Sequence, residues 1–165
     1  AKDRGVSTEG LVWVEDATQL AELPNVDLIV ETIGGAEGVA RSLVEQSLAH
    51  GKHVVTANKS LVATHGIALA TAAEKAGVIL AFEAAVAGGV PIIKVLREGL
   101  SANQFTKVIG ILNGTTNYIL TRMAAEGCSF ADALKEAQDL GYAEADPTYD
   151  VDGIDTAQKL SILTS

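Results

Sequence analysis

A run of acidic residues closed by a lysine is the part of this sequence whose residue types most clearly indicate chemistry. Five carboxylates lie between Glu144 and Asp155, and Lys159 follows four residues after the last of them. This spacing puts Asp155 and Lys159 on one face of a helix. Carboxylates can hold the ammonium group of a small substrate, and a lysine kept protonated by acids can give a proton to a carbonyl. The other interpretation is a solvated helix start, where acids are common.

Two further segments follow predicted strands directly and could contact a ligand. Lys59 comes after one strand, and Thr32, Ile33 and Gly34 come after another. Ligands of open parallel sheets bind beyond the carboxyl ends of the strands. The alternative is an ordinary solvent-exposed lysine and a simple strand-to-helix turn. No G-x-G-x-x-G phosphate turn is found in the sequence.

Composition narrows the class of protein. The chain has 165 residues, a net charge of −9 and 48% hydrophobic residues, which is ordinary for a folded domain. The negative charge argues against nucleic acid or an anionic membrane as the main partner. A single cysteine, Cys128, excludes a disulfide framework, and no segment has the pattern of a secretion signal or a membrane span. We therefore expect a cytoplasmic protein.

The elements that must position these residues alternate between strands and helices in the first half of the chain. Predicted strands cover residues 11–14, 27–31, 53–56 and 78–82, and predicted helices cover 37–50 and 61–76. Such alternation indicates βαβ units and a parallel sheet, hence an α/β fold. After a predicted boundary at 84–90, the pattern predicts a strand at 106–112 and helices at 91–98, 115–126, 129–140 and from 152 onward. We expect the hydroxyls and amides of residues 113–117, beginning with Asn113, to cap the helix that follows; the alternative is that they face a ligand.

Four motifs in this order resemble the homoserine dehydrogenase family over residues 27–163. They are TANK at 56–59, EAAVAGGVP at 83–91, NGTTNYIL at 113–120 and the acidic segment at 141–159. The resemblance implies an NAD- or NADP-dependent enzyme that interconverts L-aspartate 4-semialdehyde and L-homoserine in threonine, methionine and isoleucine biosynthesis. It also implies that residues 1–86 are the C-terminal part of a Rossmann-type parallel sheet, and that 87–165 begin an α+β catalytic and dimerisation domain.

The resemblance further implies a role for individual residues. The expected catalytic residues are Lys159 as the acid–base group, Asp155 as its partner and Lys59. The expected substrate-binding residues are Glu144, Asp150 and Asp155. The expected cofactor-binding residues are Thr32, Ile33, Gly34, Lys59, Gly141 and Glu144. A sodium-type monovalent cation is expected at Glu83 and the carbonyls of Val86, Gly88 and Val90.

Two alternatives and two further expectations accompany this interpretation. A related semialdehyde dehydrogenase would need an activated cysteine, but Cys128 lies at a predicted helix junction that favours a structural thiol. A non-catalytic ligand-binding module would have no need of Lys159, Asp155 and Glu144 together. The resemblance implies a homodimer acting on a small molecule. Because the phosphate turn is missing, we expect this polypeptide alone to bind the cofactor poorly and to be inactive.

Overall fold

The first half of the chain contains a parallel sheet of three short strands. The structure is a computed structural model, and it describes residues 5 and 7–165. The strands are β1 (Leu28–Glu31), β2 (His53–Thr56) and β3 (Leu80–Ala81), in the order β1-β2-β3. Leu28 pairs with His53, and Val54 pairs with Leu80. This register brings the carboxyl ends of β1 and β2 to the same edge of the sheet.

Two helices connect the strands and cover one face of the sheet. They are α1 (Val39–Ala49) and α2 (Lys59–Ala76). The side chain of Asn58 accepts a hydrogen bond from the Leu61 amide and so caps the start of α2. Gly77 ends α2 in the left-handed conformation, with φ of +69°, which a glycine adopts without steric cost. The core between sheet and helices consists of Ala21, Ile29, Leu43, Val44, Leu48, Val54, Leu61, Leu69, Ala73 and Leu80.

The second half of the chain is mostly helical. After a 3₁₀ turn at Glu83–Ala85, its helices are α3 (Ile92–Lys94), α4 (Gly114–Glu126), α5 (Phe130–Asp139), α6 (Thr148–Val151) and α7 (Ile154–Thr164). Helix α7 packs against α2, since Ile162 of α7 joins Val62 of α2, Val86 and Ile93 in one buried cluster. This packing brings the N-terminal half of α7 toward the carboxyl edge of the sheet.

The sequence predicted the alternating order correctly but placed two strands that the structure does not contain. Residues 11–14 and 106–112 are irregular, and Trp13 and Ile109 are 71% and 80% exposed. A strand forms only where its backbone pairs with a neighbour, and neither segment pairs with any of the residues described.

Smaller differences concern element lengths. The predicted strand at 78–82 shortens to β3, and the predicted helix at 91–98 becomes α3 followed by a π turn at Val95–Gly99. The short helix α6 was not predicted. Among residues 5 and 7–165, no helix combines the length and the apolar character needed to cross a membrane.

Candidate active site

Two lysines from different helices contact the two oxygens of one buried carboxylate. Asp155, in the first turn of α7, is 3% exposed. The Lys59 Nζ lies 2.9 Å from its Oδ1, and the Lys159 Nζ lies 2.7 Å from its Oδ2. Lys59 is the first residue of α2 and directly follows the Asn58 cap, so β2 and its capped helix position it at the sheet edge. The arrangement is a carboxylate bracketed by two cations.

The charges in this cluster stabilise each other. Burial alone would raise the pKa of Asp155, but hydrogen bonds from Lys159, Asn113 and Lys59 outweigh it and hold this pKa below its ordinary value. Burial alone would lower the pKa of Lys59, but its contact with Asp155 raises the pKa above its ordinary value. Both groups are therefore ionised at neutral pH, and Lys59 stays a fixed positive charge.

Lys159 also faces a small open cleft. Its Nζ donates a second hydrogen bond, of 2.7 Å, to the Leu112 carbonyl. The cleft has a volume of about 220 Å³ and is lined by Val86, Ala87, Ile111, Leu112, Asn113, Gly114 and Lys159. A proton on Lys159 can thus reach a small molecule in the cleft.

Aromatic and polar side chains join α2, α6 and α7 around Lys59. Its Nζ lies 5.1 Å from the centre of the Tyr149 ring, a cation–π distance. The Ser60 Oγ lies 3.1 Å from the Tyr149 hydroxyl and donates to Gln158 Oε1 at 3.0 Å. The Tyr149 hydroxyl donates to the same Gln158 oxygen. Tyr149 thus contacts Lys59 directly and is itself held by Ser60 and Gln158.

Asn113 connects the acidic cluster to α4. Its Nδ2 donates to Asp150 Oδ1 at 2.7 Å and to Asp155 Oδ2 at 2.9 Å. Its Oδ1 accepts from the Thr116 amide at 2.8 Å and the Thr116 Oγ1 at 2.9 Å. The predicted cap is therefore confirmed, but its second role at the acids was not predicted. The sequence carries no local signal for a contact between segments so far apart.

A buried glutamate shapes the loop after β1. Glu31 is 1% exposed, and its carboxylate accepts from Thr56 Oγ1 at 2.5 Å, from the Ile33 amide at 2.7 Å and from the Gly34 amide at 3.0 Å. Sequence reasoning missed this residue as a contributor to the site, although a charged residue inside an apolar strand is a usable signal. The bonds tie the strand ends together and fold the loop.

The same loop lies beside the start of α2. The Asn58 Nδ2 donates to the Gly35 carbonyl at 2.7 Å, so the cap of α2 also holds the loop. Thr32, Ile33 and Gly34 are exposed there. Gly34 has φ of +92°, and open space lies where a Cβ would be. A ligand can therefore approach the backbone closely at this point.

The remaining predicted residues lie on two loops. Gly141 and Glu144 are exposed between α5 and α6, and this loop is held to α4 by a 2.8 Å hydrogen bond from Thr115 Oγ1 to the Tyr142 carbonyl. The Glu144 carbonyl accepts a hydrogen bond from Gln138 Nε2 at 3.0 Å. Within residues 5 and 7–165, no hydrogen bond or ion pair joins Glu144 to Lys59, Asp155 or Lys159, so its predicted role at the site stays a prediction.

The predicted cation residues lie on the segment after β3. The Glu83 carboxylate accepts from the amides of Ile93 and Lys94 at 2.8 and 2.9 Å, and so stabilises the start of α3. Val86 is buried, whereas Gly88 and Val90 are exposed, and the Val90 carbonyl accepts from the Ile92 amide at 2.8 Å. The oxygens of Glu83 and Val90 thus already accept backbone hydrogen bonds, and the cation site stays a prediction.

Comparison with known families covers both halves of the chain. Residues 1–83 match the family model described as "Homoserine dehydrogenase, NAD binding domain", and residues 91–165 match the one described as "Homoserine dehydrogenase". The chain belongs to the homoserine dehydrogenase family. Its sheet and connecting helices accordingly belong to a Rossmann-type NAD(P)-binding fold, as the βαβ pattern and the resemblance predicted.

Curated relatives and solved structures agree with this assignment. The homoserine dehydrogenase of Pseudomonas aeruginosa is 56% identical over 150 residues, which are 91% of this chain and 34% of the relative. That of Synechocystis is 49% identical over 99% of this chain and 38% of the relative. The chain therefore spans about a third of the length of these relatives.

Two solved structures show how similar the folds are. The crystal structure of a homoserine dehydrogenase from Thiobacillus denitrificans superposes with a TM-score of 0.88 at 56% identity, over 94% of this chain and 36% of that one. A hyperthermophilic archaeal homoserine dehydrogenase in complex with NADPH gives a TM-score of 0.85 at 35% identity, over 92% of this chain and 47% of that one.

Proposed function

We propose that the intact gene product is an oxidoreductase that uses NADH or NADPH to interconvert L-aspartate 4-semialdehyde and L-homoserine, a step toward threonine, methionine and isoleucine. The observation that carries this proposal is Asp155 held between Lys59 and Lys159 at the carboxyl edge of a parallel sheet. A proton donor beside the place where such sheets bind ligands is what carbonyl reduction requires. Membership of the homoserine dehydrogenase family supplies the substrate class.

Lys159 is the proton donor of the proposed reaction. When bound, the reduced nicotinamide supplies the hydride that reduces the aldehyde carbon. The aldehyde oxygen then gains negative charge, and the Lys159 ammonium donates a proton to it. Asp155 orients this ammonium through its 2.7 Å contact. The fixed charge of Lys59 stabilises the developing negative charge. General acid catalysis of this kind contributes about 10² to 10⁴ in rate.

The acids are proposed to bind the substrate's ammonium group. Within the cluster, the charges of Asp150 and Asp155 are matched by those of the two lysines. An additional acid is needed to attract a cation, and Glu144 provides one from the adjacent exposed loop. We therefore assign Glu144 and Asp150 to substrate binding, with Asp155 shared between the substrate and the lysines.

We propose that the loop after β1 contacts the dinucleotide. Its exposed backbone at Thr32, Ile33 and Gly34, folded by Glu31, lies beside Lys59 at the sheet edge. We assign these residues, together with Gly141 and Glu144, to cofactor binding. A structural relative is in complex with NADPH, which supports NADP or NAD as the cofactor.

The sodium site and the homodimer rest on the family resemblance, whereas the cytoplasmic location and the absence of nucleic-acid and membrane partners rest on the composition and pattern of the sequence. A sodium-type cation is proposed at Glu83, Val86, Gly88 and Val90. A cytoplasmic homodimer acting on a small molecule, without nucleic acid or membrane partners, is the expected assembly. Equilibrium sedimentation of the intact protein, with and without sodium, tests the dimer, and sodium dependence of the rate tests the cation.

The deciding experiment follows NADPH absorbance when the intact gene product is mixed with aspartate semialdehyde. Turnover is expected, and no loss of NADPH would contradict the proposed function and favour a ligand-binding module. Cys128 is partly buried and packs against a buried cluster formed by Ile119 of α4, Ala133 and Ala137 of α5, and Ala143. We therefore expect Cys128→Ser to retain activity. Loss of activity in that variant with its fold intact would instead indicate an acyl-cysteine mechanism.

A further inference from the structure

We propose that Asn113 is a positioning residue that orients the Asp155 carboxylate between its two lysines and keeps it apart from Asp150. This inference rests on the proposed function, because it assigns a residue to the same site. Asn113 is 7% exposed, and both hydrogens of its amide nitrogen are directed at the two acids. Its contribution is geometric, through Asp155, and it donates no proton to the substrate.

The helix cap favours the orientation in which the amide nitrogen faces the acids. The Asn113 Oδ1 accepts from the amide and the hydroxyl of Thr116 at the start of α4. The Nδ2 on the other side of the amide therefore points to Asp150 and Asp155. The reversed orientation would place an oxygen against two carboxylates and an NH₂ group against the helix's own donors. The cap and the acids thus favour the same orientation of the amide.

The charges around the two acids explain why a neutral donor is needed there. Lys59 from α2 and Lys159 from α7 both contact Asp155, while Asp150 and the Tyr149 ring face the cluster from α6. Asp150 shares the Asn113 amide with Asp155. A donor between two carboxylates offsets their mutual repulsion without adding a charge that competes with the lysines. Asn113 therefore keeps Asp155 free to orient Lys159.

The substitution Asn113→Asp separates the two roles of this side chain. Aspartate caps helices about as well as asparagine, so α4 should keep its start. The donor, however, is replaced by a third carboxylate beside Asp155. A like charge at this position and a lost hydrogen bond both favour the protonated acid. We expect kcat to fall by about 10- to 100-fold and the acid limb of the pH profile of kcat/KM to move up by about one pH unit or more.

A second variant and a control make the test decisive. Asn113→Ser keeps a capping oxygen but lacks the amide donor and adds no charge, so we expect the same direction of change with a smaller shift. Asn103→Asp makes the same substitution at an exposed loop residue and should leave the pH profile unchanged. If Asn113→Asp fails to fold, the Ser variant decides. Wild-type kcat and pH profile in the folded variants would overturn the proposal.

A readout without turnover separates this inference from the proposed function. Carbon NMR of the Asp155 carboxyl in the intact protein follows its titration directly. We expect the Asp155 pKa to rise in Asn113→Ser whether or not the protein turns over aspartate semialdehyde. An inactive wild-type protein with this rise would contradict the proposed function alone. An unchanged Asp155 titration in an active enzyme would contradict the positioning role alone.

Discussion

Replacing Lys159 with alanine should slow turnover strongly while leaving the fold intact. The variant loses the 2.7 Å contacts of the Lys159 Nζ with Asp155 and with the Leu112 carbonyl. Asp155 keeps Lys59 on its Oδ1 and Asn113 on its Oδ2, so its charge stays compensated. Leaving a buried charge without a partner costs about 3 to 5 kcal/mol, and that situation is avoided here. We therefore expect stability to fall by about 1 kcal/mol.

The expected kinetic effect is much larger than the effect on stability. General acids contribute about 10² to 10⁴ in rate, which corresponds to about 2.7 to 5.4 kcal/mol of the barrier. Because Glu144 and Asp150, the proposed ligands of the substrate ammonium, remain in this variant, the loss should fall on kcat and leave KM within a few-fold. If KM rose while kcat stayed unchanged, Lys159 would instead bind the substrate and the transition state equally well.

The assay measures initial rates of NADPH loss with aspartate semialdehyde, using the intact protein. Lys135→Ala is the matched control, because the exposed Lys135 forms only a 3.3 Å surface ion pair with Asp139. The control removes the same charge and should leave kcat unchanged, since exposed (i, i+4) pairs contribute little. Near-normal turnover of Lys159→Ala would refute the assignment of Lys159 as the proton donor.

Three other perturbations give further tests. Glu31→Gln removes the charged acceptor of the Ile33 and Gly34 amides, so KM for NADPH should rise by about tenfold, measured by cofactor titration of the rate; an unchanged KM would contradict the role of this loop. Hydrogen bonds from Lys159, Asn113 and Lys59 outweigh burial and hold the pKa of Asp155 in the folded protein below its ordinary value. Its ionisation therefore stabilises the fold fully above the pKa of the unfolded state, and this stabilisation is lost as the pH falls through the pKa of the folded state. As the pH is lowered, the unfolding free energy of Asp155→Asn should therefore fall less steeply than that of the wild-type protein. An identical slope in the two proteins would contradict the lowered pKa of Asp155. Gly77→Ala forces a side chain into a left-handed conformation and should lower the unfolding free energy by about 1 kcal/mol without changing kcat, as urea titration and the rate assay will show.

Features that depend on nearby residues were predicted well from the sequence. The alternation of strands and helices, the Asn113 cap before α4 and the spacing of Asp155 and Lys159 are all local, and the structure shows each of them. The strand predicted at 106–112 was wrong because a strand needs a partner, and periodicity says nothing about where that partner lies. β-branched residues alone do not determine pairing.

The contacts of the candidate site are likewise partly local and partly between distant segments. The contact of Asp155 with Lys159 lies within one helix turn. The contacts of Asp155 with Lys59 and Asn113 join distant segments, which the packing of α7 on α2 and of α6 on α4 brings together. A sequence without aligned relatives carries no direct signal for such pairs. Glu31 is an intermediate case: its charge inside an apolar strand is a local signal, but its partner Thr56 lies in the neighbouring strand and could not be predicted from nearby residues.

The charge balance explains why the site is assembled from three separate segments. A buried carboxylate is stable only when several donors satisfy it, and each donor near Asp155 is held by a different structure: Lys59 by the capped start of α2, Lys159 by α7 itself and Asn113 by the start of α4. The three donors come from different segments, and all of them contact the same carboxylate. Loss of one donor should therefore reorient the carboxylate and change catalysis more than stability. In a catalytic cluster of this kind, losing a donor lowers kcat by more than it lowers the unfolding free energy. In a purely structural ion pair, the unfolding free energy alone would change.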